Sequence, residues 1–433
     1  MDRNEDERRI IRHRNRMRAQ IVSYAVLIIL LAIVVLGILL GARVIISVIS
    51  SHREAQEEAE IEEQEETPSG VIAQPDIMPE EEEPQEETGN ERDEEILGVI
   101  RTMSLEDKVA QLFFLTPEQL TGYTQVTQAG DATKEALEKH PVGGLFYNSS
   151  NFTSESQLEE MLSGTVNMSP RYRLFFATEE LGGAEHSQLS KAGLMDAKPS
   201  PEQIAASGDA NAAYDAGTSI GATMKNLGFT LNLGPCADLL VSDSSYIKEI
   251  SYGADLGSAS NLLQSMVKGL SDGGIDSCLK FFPGAGSVAE NPAEGMAQSN
   301  RTSDEILSEE LSLYRTGLES GARFVLAGTA SYPEVIGDNT PACLSDKVME
   351  DMLKEELSFQ GVLLAGPLND KSITEYYDAG QAAVLAFNAG ADMLLMPENF
   401  EEAYEALLAA AQEGNVSEAR LEDALLRIYR IKY

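Results

Sequence analysis

Basic residues are scarce in this chain of 433 residues. It contains 32 Lys and Arg against 71 Asp and Glu, which gives a formal net charge of −39 at pH 7. A nucleic-acid-binding domain needs a basic patch or stripe, and the one arginine-rich segment is residues 1–18. The composition therefore excludes nucleic acid as a partner of the rest of the chain. Such acidity is typical of an exposed domain that stays soluble through its charge.

Cysteine is also rare, and its spacing fits no metal site. Cys236, Cys278 and Cys343 are an odd number, and each stands among apolar or small residues, which favours buried thiols. A disulfide between Cys236 and Cys278 stays open, because an environment outside the membrane would permit one. No Gly-x-Gly-x-x-Gly turn follows the first strand-like run, so a dinucleotide fold lacks its main signal. We expect neither a metal nor another cofactor.

The N-terminal segment carries the signal of a membrane anchor. Residues 1–20 are basic, and no charged side chain occurs from Ile21 to Ala42, about the 20 residues that a helix needs to cross a bilayer. A cleaved signal peptide is the alternative, but its apolar core is usually about 7–15 residues long, and this run continues past Arg43. We therefore expect one transmembrane helix over 21–50. The basic flank places the N-terminus in the cytoplasm and the remainder outside.

Two further regions follow the anchor. Residues 51–95 are dominated by glutamate and have few apolar residues, so like-charge repulsion predicts an acidic stalk that is disordered or helical. Residues 96–433 alternate short apolar runs with amphipathic segments. The apolar runs, each predicted to be a strand, are 112–116, 143–148, 173–179, 229–238, 275–284, 323–333, 361–368 and 391–398. Eight such runs separated by helices predict a TIM-type (β/α)8 barrel, with functional groups at the C-terminal strand ends. An open doubly wound sheet is the alternative.

Phrases at these strand ends resemble glycoside hydrolase family 3, in its single-barrel β-N-acetylglucosaminidase (β-hexosaminidase) branch. They occur in the family's order from about Leu105 to Lys432. The phrases are "SLEDKVAQLF", "HPVGGLFYN", "KFFPGAG", "SYPEV", "PACLS", "FQGVLLAG", "ADMLLMP" and the closing "VSEARLEDALLRIYRIK". The resemblance implies a retaining glycosidase, in which one carboxylate forms a glycosyl-enzyme intermediate and a second group protonates the leaving oxygen.

The positions that match the family's catalytic groups hold other residues. The nucleophilic aspartate at the end of the seventh strand corresponds to Gly366 in "LLAGPLND". The aspartate–histidine pair of the loop after the fifth strand corresponds to Asn291 and Ala293 in "AGSVAENPA". Weak substitutes are Asp370, which would need a refolded loop, and Glu290 and Glu294, which would need burial to raise their pKa. Solvated loop charge is the ordinary interpretation of both glutamates.

Binding positions are partly kept. The resemblance assigns sugar contact to Asp238 and Lys280, and the mouth also holds Phe281, Glu179 and Glu180. Histidines and arginines that the family places nearby are replaced by Phe281, Thr329, Ala184 and Ile250. Phe281, Phe282 and Tyr332 are candidates for stacking on a sugar, with ordinary packing as the alternative. His186 is the one histidine predicted to lie in a mouth loop, and His140 precedes the second strand.

The sequence therefore predicts a membrane-anchored domain on the outer face of a bacterial cell membrane that has lost its catalytic groups. It would bind a cell-wall glycan or a muropeptide-like saccharide, or an envelope protein. The alternative is an active β-N-acetylhexosaminidase that hydrolyses O-glycosyl bonds with relocated carboxylates. A scaffold without a ligand is a third possibility.

Overall fold

The computed structural model describes residues 89–433. The predicted cytoplasmic segment, the transmembrane helix over 21–50 and the stalk up to residue 88 lie outside this part of the chain. Within residues 89–433, no helix is both long enough and apolar enough to span a bilayer.

Eight parallel strands form a closed barrel in chain order, and β8 pairs with β1. The strands are β1 (Phe113–Leu115), β2 (Gly144–Phe146), β3 (Phe175–Thr178), β4 (Leu231–Asn232), β5 (Asp276–Phe282), β6 (Phe324–Ala327), β7 (Val362–Ala365) and β8 (Met393–Leu395). Nearly every strand residue is buried, because barrel strands face packed side chains inside and helices outside. The predicted barrel is confirmed, and each strand lies within its predicted apolar run.

Helices cover the outside of the barrel and connect the strands. The α-helices are α1 (Gly89–Thr102), α2 (Leu105–Ala110), α3 (Pro117–Thr121), α4 (Asp131–Lys139), α5 (Glu155–Met168), α6 (Gln188–Lys191), α7 (Pro201–Ser207), α8 (Ala210–Leu227), α9 (Leu256–Asp272), α10 (Ser303–Glu305), α11 (Leu311–Glu319), α12 (Pro333–Ile336), α13 (Lys371–Thr374), α14 (Ala379–Asn388), α15 (Phe400–Gln412) and α16 (Glu418–Lys432). Two π-helical segments, Ile306–Glu310 and Lys347–Glu356, precede α11 and β7.

Local sequence signals fix the helix ends. α7 begins with a capping box in which Ser200 accepts from the Gln203 N–H and the Gln203 side chain accepts from the Ser200 N–H. It ends at Gly208, whose left-handed φ of +66° suits glycine. A second capping box, formed by Asp378 and Gln381, starts α14. These caps satisfy backbone groups that a helix end leaves unpaired.

The N-terminal end of the barrel, called the floor below, is closed by aromatic side chains and one lysine. The rings of Phe114 and Phe175 stack at 6.5 Å, and Phe324 meets Phe175 edge-on at 5.2 Å. The Lys432 ammonium lies 4.9 Å from the centre of the Phe175 ring. A Cβ on Gly144 would come within 2.6 Å of the Phe114 ring. Glycine at this position therefore leaves room for the aromatic layer.

Helix α1 joins the end of the predicted stalk to the barrel. It starts at Gly89, before the predicted barrel boundary at residue 96. The Arg430 guanidinium makes a bidentate ion pair with the Asp93 carboxylate at 2.8 and 2.6 Å. The last part of the segment 51–95 is thus helical.

All three cysteines are buried free thiols, so the structure contains no disulfide between Cys236 and Cys278. Burial raises the pKa of each thiol.

Candidate functional site

The C-terminal ends of the strands form the mouth of the barrel. Glu179 follows β3, Asp238 follows β4, Lys280 lies in β5, Thr329 follows β6 and Gly366 follows β7. Because parallel strands in a barrel end on the same face, the residues that the sequence singled out meet here.

Lys280 is held by a partner within the protein. Its side chain is 2% exposed and its ammonium forms an ion pair with the Glu179 carboxylate. The ammonium also lies 4.9 Å from the centre of the Phe281 ring. A buried ammonium needs such a partner, because an isolated buried charge is strongly unfavourable. The lysine thus neutralises a carboxylate of the chain itself.

Both carboxylate oxygens of Asp238 likewise have hydrogen-bond partners within the chain. The residue is 1% exposed. Its Oδ1 accepts a hydrogen bond from the Tyr314 hydroxyl at 2.7 Å, and its Oδ2 accepts one from the Phe281 N–H at 2.9 Å. Burial raises the pKa of Asp238 to about 6, although these hydrogen bonds oppose the rise. Its predicted role as a sugar contact stays a prediction, since both oxygens already have partners in the chain.

The aromatic residues of the fifth strand divide into two groups. Phe281 is half-buried, and its ring centre lies 6.0 Å from that of Tyr246. Phe282 is fully buried and meets Tyr314 edge-on at 5.0 Å. Tyr332 is also buried, and its hydroxyl donates to the Gly284 carbonyl at 2.9 Å. Phe282 and Tyr332 therefore pack in the core, and Phe281 is the one of the three with an accessible face.

Gly366, at the position expected for the nucleophile, has a backbone that suits only glycine. Its φ is +138°, which disfavours any side chain. A Cβ built there would lie 2.7 Å from both the Leu395 carbonyl oxygen and the Leu368 nitrogen. The backbone at the position of the family's nucleophile therefore has no space for a carboxylate side chain.

Asp370 lies at the mouth, next to the end of β6. Its Oδ2 accepts a hydrogen bond from the Thr329 hydroxyl at 2.5 Å. Burial raises the pKa of Asp370 to about 6, and the bond from Thr329 opposes this rise. The structure thus brings together the candidate substitute carboxylate and the threonine that stands in a histidine position.

The loop after β5 carries its candidate residues on the surface. Asn291 begins the short 3₁₀ turn Pro292–Glu294, and its side chain accepts from the Ala293 N–H at 3.1 Å. Asn291, Ala293, Glu290 and Glu294 are all exposed. The burial that a proton-donating role requires of either glutamate is therefore absent in this structure.

Glu180 is the most perturbed carboxyl group near the mouth. Its Oε1 accepts from the Leu189 N–H at 2.5 Å. Within residues 89–433, its buried Oε2 has no hydrogen-bond partner. Burial raises the pKa of Glu180 to about 8, with the neighbouring Glu179 adding to the rise. Glu180 is thus mostly protonated at neutral pH and does not act as a spare anion.

The two histidines within residues 89–433 lie at opposite ends of the barrel. His186 is partly exposed in the loop after β3 and contacts Glu249 at 2.8 Å. His140 is buried directly before β2, against Phe400 and Tyr404. His140 therefore lies away from the mouth, as its place in the sequence indicated. Ala184 is exposed and Ile250 is buried, so neither provides a polar contact at the mouth.

Sequence reasoning missed two partners. Tyr314, which donates to Asp238, lies on the inner face of α11, where it is indistinguishable from a core residue of the stripe Leu311, Leu313 and Gly317. The bond between Thr329 and Asp370 joins loops of adjacent parallel strands. Adjacency of β6 and β7 was a usable signal for that pair, because consecutive barrel strands end side by side.

Comparisons with known proteins agree with this architecture. Residues 104–431 match the family described as "Glycosyl hydrolase family 3 N terminal domain". A β-hexosaminidase of Methylobacillus flagellatus is 28% identical over 285 residues, which are 64% of this chain and 80% of that protein.

Two solved structures have the same fold. A glycoside hydrolase family 3 β-N-acetylglucosaminidase from Paenibacillus sp. strain FPU-7 aligns with a TM-score of 0.70 and 26% identity over 76% of this chain. The alignment spans 62% of that protein. A β-N-acetylhexosaminidase from Beutenbergia cavernae aligns with a TM-score of 0.67 and 25% identity, over 76% of this chain and 98% of that one. The family match covers most of the barrel, and the chain is similar to β-N-acetylglucosaminidases of that family. The chain therefore belongs to glycoside hydrolase family 3.

Proposed function

We propose that this chain is a membrane-anchored, extracytoplasmic family 3 domain that no longer hydrolyses glycosides and instead binds a cell-wall glycan. The observation that carries the loss of hydrolysis is Gly366. A retaining glycosidase needs a carboxylate there to form the glycosyl-enzyme intermediate, and the backbone of Gly366 leaves no space for a side chain.

The other groups of the mouth support the same proposal. Asn291 and Ala293 occupy the positions of the acid pair, and neither side chain can donate a proton as a general acid. Lys280 and Asp238 are bound to Glu179 and Tyr314. Charged groups that already have partners within the chain are typical of a packed interior and not of an empty substrate pocket.

The proposed location follows from the sequence of the first 50 residues. An uncharged apolar run from Ile21 to Ala42 behind an arginine-rich segment is the pattern of a single-pass anchor with a cytoplasmic N-terminus. The barrel would then face the outside of a bacterial cell membrane, where cell-wall saccharides and envelope proteins are the available partners.

A second candidate function rests on Asp370. An active β-N-acetylhexosaminidase would need a relocated carboxylate near the vacated position, and Asp370 is a half-buried mouth carboxyl with a pKa raised to about 6. A group with that pKa can exchange a proton near neutral pH. This reading predicts turnover that depends on Asp370.

An assay of hydrolysis separates the two functions. The full chain, purified in a detergent without sugar groups, would be incubated with an aryl N-acetyl-β-glucosaminide between pH 4 and 9. We expect the same background rate for the wild type, Asp370→Asn and Glu290→Gln. Turnover that Asp370→Asn abolishes would contradict the proposal and support the active enzyme.

Glycan binding is tested by co-sedimentation of the full chain with purified peptidoglycan. We expect the protein in the pellet, and we expect an excess of soluble N-acetylglucosamine oligosaccharide to release it. If the chain stays in the supernatant with peptidoglycan but is recovered with an envelope protein after cross-linking in cells, the glycan half of the proposal is wrong.

A further inference from the structure

A cavity of about 330 Å³ opens beside the mouth. It lies between the segment after β6 and the segment after β7. Its lining includes Ser331 and Ser372, which follow Thr329 and Asp370 closely in the chain. The cavity is therefore lined by residues that lie two positions along the chain from the hydrogen-bonded pair Thr329 and Asp370.

A second cavity of about 720 Å³ lies against α14 and α15. Tyr376 and Tyr377 line both cavities. Tyr376 is 54% exposed. Each of the two cavities, together called the side cleft below, falls within the range of about 300 to 1,000 Å³ that is usual for small-molecule sites. The two tyrosines form an aromatic surface, called the aromatic step below, that is common to both cavities.

The wall of the smaller cavity is fixed by hydrogen bonds. The Ser331 hydroxyl donates to the Asn339 carbonyl at 2.8 Å, and the Gln298 amide donates to the Asn339 side-chain oxygen at 2.9 Å. The Thr340 N–H donates to Asp338 at 2.9 Å. A wall that is ordered before a ligand arrives loses little entropy on binding.

One polar group in this wall lacks a partner. Ser372 is 5% exposed and lines the smaller cavity. Its hydroxyl oxygen is buried and has no hydrogen-bond partner in the part of the chain that the structure describes. A buried hydroxyl without a partner is unusual in a protein interior, so this wall contains one hydrogen-bonding group that this part of the chain does not use.

The charge of the side cleft is negative. Its lining residues in both cavities include Asp338, Asp378 and Glu402 and contain no lysine or arginine. Hydrogen bonds from Thr340 hold the pKa of Asp338 below its usual range. Anionic ligands are therefore repelled, whereas neutral ligands approach without an electrostatic penalty.

We propose that the side cleft is the saccharide-binding site of this chain and that it takes a neutral oligosaccharide that stacks on Tyr376 and Tyr377. Sugars present an apolar C–H face and a rim of hydroxyls, which match the aromatic step and the surrounding serine, threonine and asparagine groups. This inference rests on the proposed glycan binding and moves the binding site away from the mouth.

The test uses the full chain in a detergent without sugar groups and chitotetraose, an uncharged tetramer of N-acetylglucosamine, as the probe. Isothermal titration would give the dissociation constant for the wild type and for three variants. We expect Tyr376→Ala to weaken binding about tenfold, because the ring loses its stacking contact. Tyr376→Phe keeps the ring and should stay within about threefold of the wild type. Tyr123→Ala removes an equally exposed tyrosine (61% exposed) outside the side cleft and should leave binding unchanged.

Charge selection gives a second readout. A disaccharide of N-acetylglucosamine and N-acetylmuramic acid carries a carboxylate, so we expect it to bind several-fold more weakly than the neutral disaccharide chitobiose. Asp338→Asn removes one repelling charge. It should reduce the difference in affinity between the two disaccharides without weakening the binding of chitobiose. Equal binding of both disaccharides to the wild type would contradict the proposed selection.

The outcomes separate this inference from the proposed function. If chitotetraose binding is unchanged in Tyr376→Ala and lost in a folded Phe281→Ala variant, the mouth is the site and the inference is wrong, while glycan binding stands. If the wild type and Tyr376→Ala bind peptidoglycan equally well and chitotetraose does not bind, the inference is wrong and the proposed glycan binding stands. If neither chitotetraose nor peptidoglycan binds, the glycan-binding function itself is wrong.

Discussion

The two ends of the barrel each bury a lysine, and they accommodate it in opposite ways. At the mouth, Lys280 is 2% exposed and forms an ion pair with Glu179. At the floor, Lys432 is 7% exposed, donates to the Gln111 side-chain oxygen at 3.0 Å and otherwise faces the rings of Phe175 and Tyr429. Burial lowers the pKa of Lys432 to about 7. The mouth neutralises charge by pairing it, whereas the floor tolerates a lysine that readily loses its proton.

This difference indicates how the polar groups of the mouth are used in this chain. The floor of a barrel has no chemistry to perform, and the Lys432 amine lies mostly among apolar neighbours. The mouth keeps several ionisable groups, but Asp238 and Lys280 bind partners of the same chain, and Glu180 is buried with a raised pKa. The polar groups of the mouth therefore stabilise the fold. Mutations there should affect stability more than binding.

Asp238→Ala should give the largest loss of stability. It removes the acceptor of the buried Tyr314 hydroxyl and of the Phe281 N–H. Two unsatisfied buried donors at about 1–3 kcal/mol each predict a loss of about 2–6 kcal/mol in the free energy of unfolding. Asp238→Asn keeps one acceptor oxygen and should lose less. Urea denaturation of the full chain in detergent measures both variants, and equal stability of Asp238→Ala and the wild type would contradict a structural role.

Glu180→Gln should remove a pH dependence of stability at the mouth. The pKa of Glu180 is raised from 4.5 to about 8 in the folded state, so between these values the folded protein holds a proton that the unfolded chain has lost. Its contribution is complete below about pH 4.5 and is lost as the pH rises toward 8. From pH 5 to 7, the wild type should lose about 2 to 3 kcal/mol relative to the variant. Parallel unfolding curves of the two proteins across this range would contradict the assignment.

Lys432→Met should show a pH effect of the opposite sign at the floor, measured over a single pH unit. The pKa of Lys432 is lowered from 10.5 to about 7, so between these values the unfolded chain binds a proton that the folded protein does not. Stability of the wild type therefore falls as the pH falls from 10 to 7. Between pH 9 and 8, the wild type should lose about 1.4 kcal/mol relative to the methionine variant, whose side chain is similar in volume. A stability difference that does not change with pH would mean that Lys432 stays charged when buried.

The sequence predicts the fold well and the mouth only in part. The eight apolar runs are enough for the barrel, because strands buried on both faces leave a clear pattern. The position of Gly366 is also accessible from the sequence. The lack of space for a side chain there is not, because it depends on how close the Leu395 carbonyl and the Leu368 nitrogen come. The partner of Asp238 depends on the packing of α11 against the barrel, which no spacing within β4 reveals. The side cleft lies between segments that follow two different strands, and it exists only once both are in place.

The most direct test of the central claim is an attempt to trap the glycosyl-enzyme intermediate. A retaining glycosidase becomes covalently labelled by an activated fluorinated substrate analogue, because the intermediate forms faster than it is hydrolysed. The full chain and the β-hexosaminidase of Methylobacillus flagellatus would be treated with such an N-acetylglucosamine analogue and weighed by intact mass spectrometry. We predict that the mass of this chain stays unchanged while that of the relative, as an active β-hexosaminidase, increases by one sugar. A stoichiometric adduct on this chain, mapped to Asp370 or to any other carboxylate of the mouth, would contradict the account.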